Sequence, residues 1–554
     1  MNVEICNKDA SARTGYIHLN EGKIKIPALL SVSDKKFLKA HMENGREYQI
    51  ELPEVVFSSP DGYFPVPLSH APTDEKWKIV GRWLVILNWT KLGNLRELSF
   101  DFCIFPGGCE LFQYPRKFVD AIICIRKAIG AGKPLYVPGI ALPSRISLLS
   151  CLTIDLFDDA LAIFLGEKKE LTMAEGIFKY GKNCVRENIL FLQKEFEVLE
   201  TFLNAGRVRE LVEMRIRAEP ELVAMLRYMD FEHFEFMEGL WPSFGKKFYA
   251  NSKESLWRID IQRYRRKVST TKPLDLPVLL LLPCAAKKPY HLSHSHMLVE
   301  DVLKKSGRRN SIHVLSLTSP IGVVPEELEN FFPANAYDIP VTGHWDYEEK
   351  KIVLEGLKPF LGKYREVVAH LPPDYHFVVE HFGLKNTCVD EDITSAQSLK
   401  KLEEYLVSLN PEKVSYSQRL QLDVENALRF QFGEKVIGIL ENAYIKGNRW
   451  NWKIFSQNCE FFEMSEARGR ILIKREGTNY LANMKTMCVY IENFQLHGDV
   501  FIPGVISATP EIRCGDEVAV VQNERGIATG SAMVSATELS ELKRGIAVKV
   551  REKF

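Results

Sequence analysis

Between Leu276 and Lys305 the chain reads LPVLLLLPCAAKKPYHLSHSHMLVEDVLKK. Five consecutive apolar residues, Val278 to Leu282, lie between two prolines, which is the length and composition of a strand buried on both faces. The VEDVLKK segment that follows has the spacing of a helix, so strand, polar loop and helix come in immediate succession, as in an α/β sheet. In such sheets ligands bind beyond the carboxyl ends of the strands, where the next helix offers free N–H groups to an anion. The loop Pro283 to His296 is therefore the place where chemistry is expected.

At 554 residues the chain exceeds one ordinary hydrophobic core, and roughly three or four domains are expected. Apolar residues make up 46% and charged residues 26%, the balance of a folded, soluble protein rather than a disordered one. Lys and Arg total 72, as do Asp and Glu, so no global positive field argues for nucleic acid and any RNA surface must come from local clustering. The 11 cysteines are scattered singly, unlike a secreted disulfide scaffold, which fits a reducing cytoplasm. MNVEICNKDASARTG has charges where a signal peptide needs an apolar core, and no apolar run reaches the ~20 residues that span a bilayer. A cytosolic protein without membrane partners is expected.

Along the chain, residues 1–245 alternate apolar runs with amphipathic segments, the rhythm of βα units with parallel strands. From Met173 to about Met237 the pattern reads as helical throughout. Asn251 to Lys272, rich in Arg, reads as a linker or exposed helix, after which a second α/β stretch, residues 250–408, contains the loop described above. Residues 411–490 read as a small α+β domain opened by a helix at Gln418 to Phe432, and residues 495–554 as a glycine-punctuated β-barrel.

Within the loop, Cys284 is a candidate nucleophile, with Pro283, Lys287, Lys288, Tyr290, Ser293 and His296 around it. Each has a plainer reading. Cys284 would serve equally as a small buried residue ending a strand, Ser293 as a helix cap, Lys288 as a phosphate or carboxylate contact, and His291 and His294 as solvated loop residues. A second polar cluster, Asp338, Thr342, Trp345 and Asp346, would hold the amino groups of a donor or the edge of a base, although aspartates in turns commonly bond their own backbone.

Three further segments carry a resemblance. The opening NVEICNKDASARTGYIHLNEGKIKIPALLSV, the run KPLYVPGIALPSRISLLSCLTIDLFDDALAIF and the tail GRVRELVEMRIRAEPELVAMLR resemble archaeal tRNA-guanine transglycosylases. That likeness implies a (β/α)8 barrel. Only about 180 residues precede the helical tail, so the barrel is expected to be shortened. Asp158 falls at the family's nucleophilic aspartate, while SSPDGYF does not reproduce the other catalytic aspartate motif, which argues against base exchange. The family's zinc site would be reduced to Cys184 with Glu187 and Asn188, so no metal is expected there. FQLHGDVFIPGVI, GDEVAVVQ, GIATGSAMVS and GIAVKVREKF resemble a PUA domain, which implies RNA binding around Gly504, Gly515, Asp516, Gly530 and Arg551.

The loop itself, at Pro283, Cys284, Lys288, Pro289, Tyr290, Ser293 and His296, resembles the motif of archaeosine synthases, and SPIGVVPEELE and ANAYDIPVTGHWDYEE resemble the same family's core. The resemblance implies a transferase without a cofactor, acting on 7-cyano-7-deazaguanine at base 15, in the D-loop of tRNA. An amine donor adds to the nitrile to build an amidine. Lysine is the favoured donor, with glutamine or ammonia as others, and a radical-SAM lyase would complete archaeosine after lysine addition. Relatives often dimerise, so a homodimer is an expected assembly. A base buried in tRNA must be extruded to react, and Tyr290 and Trp345 suit its face. His296 or Tyr290 would supply the proton that nitrile attack needs. Cys284, near two lysines and a helix start, would add first as a thiolate. Two other readings are exchange of guanine through Asp158 and a non-catalytic subunit that presents tRNA.

Overall fold

The computed structural model describes residues 1–32, 37–53 and 75–554, which divide into two units. The segment SSPDGYF lies outside the described residues. The first unit comprises Met1–Lys246, Tyr490–Asp516 and Ser531–Val550, and the second Lys247–Val489, Glu517–Gly530 and Arg551–Phe554.

The first unit opens with three antiparallel strands, Asn2–Asp9, Ala12–His18 and Lys23–Ile26. An eight-stranded sheet follows. Its middle is parallel: Ala28–Val32, Leu156–Asp158, Leu135–Tyr136, Phe102–Ile104 and Trp83–Ile86, in that order. At either edge the sheet is finished by antiparallel strands, Phe37–His41 with Glu47–Glu51 on one side and Trp77–Val80 on the other. The described residues thus form an open, half-barrel sheet of mixed direction, with five parallel strands where the expected barrel would have eight.

The helical run begins later than its periodicity suggests. Glu170–Met173 and Gly176–Lys179 form a hairpin, and the helices Val185–Ala205, Val208–Arg215, Pro220–Phe231 and Phe234–Leu240 come after it. The hairpin's TMAEG turn interrupts the pattern with Gly176 at a positive φ of 145°, which only glycine adopts at little cost. The helix is bound to that hairpin by Asn188, whose amide accepts the Thr172 N–H at 2.8 Å and donates to the Ala162 and Glu170 carbonyls at 3.0 and 2.9 Å. Nearby, the buried Cys184 faces the Gly166 carbonyl. One thiol beside an amide with its bonds already made does not fit a tetrahedral zinc site.

The second unit is organised on five strands in the order Gly322–Pro325, Ile312–Thr318, Val278–Pro283, Glu366–Ala369 and Lys385–Asn386. All pairs are parallel except the first. Val278–Pro283 is central and every one of its six residues is buried. Val278, Leu280 and Leu282 pack under Val299, Val302 and Leu303 of the helix His294–Lys305 and under Leu402 and Leu406 of the helix Ala396–Leu409. The Arg-rich segment before this sheet is not a linker: it forms the helix Ile259–Thr270, with Ile259, Ile261, Tyr264 and Val268 buried. Its Arg265 donates to the carbonyls of Leu256, Ile321 and Pro320. Beyond the sheet, the helix Tyr416–Phe432 carries a Ser415/Gln418 capping box. Four antiparallel strands from Tyr444 to Ile473 and the helix Arg475–Met484 follow.

Buried charge holds the first sheet together. Asp155, 2% exposed, accepts from Arg13 and Arg126, themselves nearly inaccessible, and from the Leu135 N–H. Asp155→Ala would leave two buried guanidinium groups without their carboxylate, and a loss of about 3–5 kcal/mol is expected. The measurement is urea denaturation followed by circular dichroism, where the first unit should unfold earlier. A curve superimposable on wild type would show that this network contributes little.

Candidate active site

The carboxyl end of the central strand sets the geometry. Pro283 stands opposite Leu317 in the parallel ladder, and the Cys284 N–H continues the pairing by donating to the Leu317 carbonyl at 3.0 Å. The half-buried thiol of Cys284 is thereby fixed to the sheet rather than to a free loop. A third segment reaches the same carbonyl: Tyr375, from the 3-10 turn Pro373–Tyr375, donates its hydroxyl to Leu317 at 3.2 Å and lies 3.7 Å from the Cys284 sulfur. Trp345 packs edge-on against Tyr375 with ring centres 5.0 Å apart, and also touches Phe377.

Lys288 bends over the buried ring of Tyr337, its Nζ 4.2 Å from the centroid, a cation–π contact. Burial pushes its ammonium below the usual lysine range, while Cys284 and Asp338 pull the other way. Beneath it runs a chain of hydroxyls, Tyr290 to Tyr337 to Thr318. Burial holds both phenols above their ordinary titration, so they stay protonated donors. Asp338, beside Tyr337, pairs with Lys247 at 3.1 Å. Burial would raise its carboxyl, but Lys247 and Lys288 hold it lower.

Other expected site residues are spent on structure. His296 is 8% exposed, stacks on Tyr290, and donates through Nε2 to the Pro283 carbonyl at 3.0 Å. Burial pushes its imidazole down to about 4. At neutral pH it is an uncharged strut rather than an acid. Ser293 caps the helix His294–Lys305, its Oγ accepting the His296 N–H. Asp346 caps the helix Tyr347–Leu357 in a reciprocal box with Glu349. Thr342 is exposed and accepts the His344 N–H within its own turn. His294 and Lys287 are exposed. His291 is not a solvated loop residue: it bonds Glu329 and stacks face to face on Trp450, 4.3 Å away. With His296, Glu329 and Trp450 it lines a cavity of about 300 Å³.

The structure thus brings Cys284, Lys288, Tyr290, Asp338 and Trp345 into one neighbourhood, and adds Thr318, Tyr337 and Tyr375. Tyr337 lies one residue before Asp338 in ANAYDIP, and Tyr375 sits in LPPDYHF, so turn composition was the only signal for them. In the first unit, Asp158 ends a parallel strand and is fully buried. Its carboxylate accepts from Tyr136 at 2.9 Å and from the N–H groups of Gly139 and Ala160 at 2.8 and 2.9 Å. Of the expected RNA contacts, Gly504 approaches the Phe494 ring, Gly515 takes a φ of +90° and Gly530 is buried. Asp516 accepts the Arg513 N–H, and Arg551 pairs with Glu517 at 2.7 Å. Among the described residues no group of three His, Cys, Asp or Glu side chains gathers as a metal site requires.

Residues 261–406, which carry the whole cluster, match a family model described as a domain of unknown function (DUF5591), and residues 491–554 match the PUA domain. The archaeosine synthase subunit alpha of Thermococcus kodakarensis is 34% identical, with 100% of both chains covered. That of Thermoplasma acidophilum is 31% identical over 81% of this chain and 87% of its own. The chain belongs to the archaeosine synthase family. A tRNA-guanine(15) transglycosylase from Methanosphaera stadtmanae is more distant, 24% identical over 82% of this chain and 73% of the relative. In this archaeosine synthase family member, the PUA domain closes the chain and the thiol-bearing sheet lies within the other matched segment.

The neutral state of His296 has a measurable consequence. An unfolded histidine titrates near 6.5, so between about 6.5 and 4 the unfolded chain binds more protons, and stability falls as pH drops through that window and is level above it. His370, bonded to Thr387 and the Ile393 carbonyl, acts in the same direction. His296→Gln keeps a donor for the Pro283 carbonyl and removes one of these titrations. The stability lost between pH 6.5 and 4 should shrink by on the order of 3 kcal/mol, measured by urea midpoints across pH. An unchanged slope would mean that His296 accepts a proton in the fold.

Proposed function

We propose that this protein acts in tRNA archaeosine biosynthesis, adding an amine to the nitrile of 7-cyano-7-deazaguanine at position 15 of tRNA. The observation that carries this reading is the placement of Cys284: a thiol fixed at the end of a buried central strand, with a phenol hydroxyl at the sulfur and a lysine amine in the same neighbourhood. The relatives' names, archaeosine synthase and tRNA-guanine(15) transglycosylase, support the tRNA substrate and the position. The PUA domain supports a grip on structured RNA.

In this reading the Cys284 thiolate adds to the nitrile carbon, a C–S bond forms, and one π pair moves onto nitrogen. Lys288, whose ammonium is eased by burial, gives that nitrogen a proton. The thioimidate so formed is attacked by the donor amine. The C–S bond then breaks, the pair returns to sulfur, and the amine's proton leaves to give the amidine. Lysine is the favoured donor, with glutamine or ammonia as others; a lysine adduct would need a radical-SAM lyase to finish archaeosine. Trp345, Tyr375 and Phe377 would receive the extruded base. In this reading residues 1–245 are the transglycosylase-like part, built on the open half-barrel sheet, 250–408 the catalytic core, 411–490 a small α+β domain and 495–554 the RNA-binding module. On the same reading the protein works in the cytoplasm, with a homodimer as the expected assembly.

Base exchange through Asp158 is the weaker reading, because that carboxylate is buried and already takes three donors. The test is mass spectrometry of nitrile-bearing tRNA incubated with lysine, glutamine or ammonium, each giving a different mass gain. Cys284→Ala should slow the conversion by ~10³-fold and Lys288→Met by ~10²-fold. Conversion at the wild-type rate by a Cys284→Ala, His296→Ala double variant would instead make the protein a tRNA-presenting subunit.

A further inference from the structure

The hydroxyl of Tyr375 has one hydrogen and two acceptors in reach, the Leu317 carbonyl at 3.2 Å and the Cys284 sulfur at 3.7 Å. A neutral thiol is a weak acceptor, so the hydrogen belongs to the carbonyl while the sulfur is protonated. A thiolate is a charged acceptor and binds a donor about twice as strongly as a neutral group does. Rotation about the phenol C–O bond redirects the hydrogen from one acceptor to the other without moving a heavy atom. The ring itself is held by Trp345.

We infer that Tyr375 is a positioning residue that follows the charge on Cys284, donating to Leu317 when the sulfur is neutral and to the sulfur when it is a thiolate. This rests on the proposed role of Cys284 as nucleophile. The thiol proton leaves to solvent, and the swing of Tyr375 exchanges one hydrogen bond for another with no covalent change. The thiolate occurs twice in the proposed sequence, before attack and again as the leaving group, and the same donor stabilises it both times. In the thioimidate between them the sulfur is neutral and the hydrogen returns to Leu317. The intermediate therefore gains nothing from Tyr375 and is not trapped.

Among the described residues, four ionisable groups interact electrostatically with the sulfur. Lys288 comes from its own loop, Tyr290 from the turn before the helix, Tyr337 from its short strand and Tyr375 from the 3-10 turn. Tyr290 and Tyr337 bond each other and Thr318, and Lys288 lies over the Tyr337 ring. Tyr375 is the group among them with a hydrogen bond to the sulfur. Burial keeps its phenol protonated well above the ordinary range, so it remains a donor.

The test uses the full chain without tRNA. Alkylation by iodoacetamide is followed at Cys284 by peptide mass spectrometry, which separates it from the exposed Cys6 and Cys459. In Tyr375→Phe, alkylation at neutral pH should slow by about 3- to 10-fold and its rise should move to higher pH, with the same plateau. Tyr364→Phe removes the hydroxyl of another buried tyrosine, one that bonds His313 and lies outside the cluster, and should leave the profile in place. An unmoved profile in Tyr375→Phe, or the same displacement in both variants, overturns the inference. Should the phenylalanine variant not fold, 2,3-difluorotyrosine at position 375 supplies a stronger donor in the intact network. It should speed alkylation, and no acceleration overturns the inference equally. Failure of the proposed reaction is read separately, as amidine formation by Cys284→Ala.

Discussion

One main-chain carbonyl, that of Leu317, receives both the N–H of Cys284 and the hydroxyl of Tyr375. It belongs to a buried strand paired in register with the central strand, Pro283 opposite Leu317, so it cannot shift without breaking the ladder. Three segments distant in sequence are thereby referred to one point. In the proposed reaction a thiol held this way would lose little further freedom on meeting its target, which is where much of the rate of an enzyme-bound reaction arises. The sheet is the rigid element, and the loop after Cys284 supplies the charges.

Beside this site stands a second rigid device, built from charge. Glu326 begins the turn after the strand Gly322–Pro325, and burial alone would raise its carboxyl. Arg309, Arg419 and Arg449 surround it and hold it well below the carboxylate range. The turn so anchored carries Glu327, bonded to His313 and Asn426, and leads to Glu329, bonded to His291. Burying this many ions is expensive unless each is paired. Here the pairing fixes His291 and Trp450 at the wall of the cavity that His296 also lines. The imidazoles are thus parts of the scaffold, and the polar groups available for chemistry narrow to the thiol, the amine above Tyr337 and the hydroxyls around them.

The sequence made the centre of this arrangement legible and its periphery not. A run of five leucines and valines between prolines has one economical solution, a central strand, and the loop beyond it announces itself by its density of functional groups. The cap at Ser293 was legible too, as the plainer reading of that residue, whereas Asp346 read only as a turn aspartate bonding nearby backbone. Tyr375 was not, because it stands 91 positions from Cys284 and meets it only through parallel pairing across the sheet, which no local period encodes. Tyr337 stands beside the charged Asp338 in ANAYDIP and carries no sequence signal of its own. The segment Ile259–Thr270 is a helix, one of its two sequence readings, but not an exposed one: Arg265 is buried against three backbone carbonyls, and composition does not distinguish a guanidinium facing water from one satisfying the main chain.

Asp158 and Cys284 show why the end of a parallel strand is a permissive address and not by itself a site. Both stand at such an end. Around Asp158 the backbone N–H groups of Gly139 and Ala160 and the hydroxyl of Tyr136 converge on the carboxylate, so any attack by that oxygen would first cost hydrogen bonds inside a fully buried pocket. Around Cys284 the donors converge on the neighbouring carbonyl instead, and the sulfur remains half exposed with one phenol in reach. The same topology thus yields a buried carboxylate with three donors in one unit and a half-exposed thiol in the other. The difference lies in whether the donors are aimed at the side chain or at the main chain next to it.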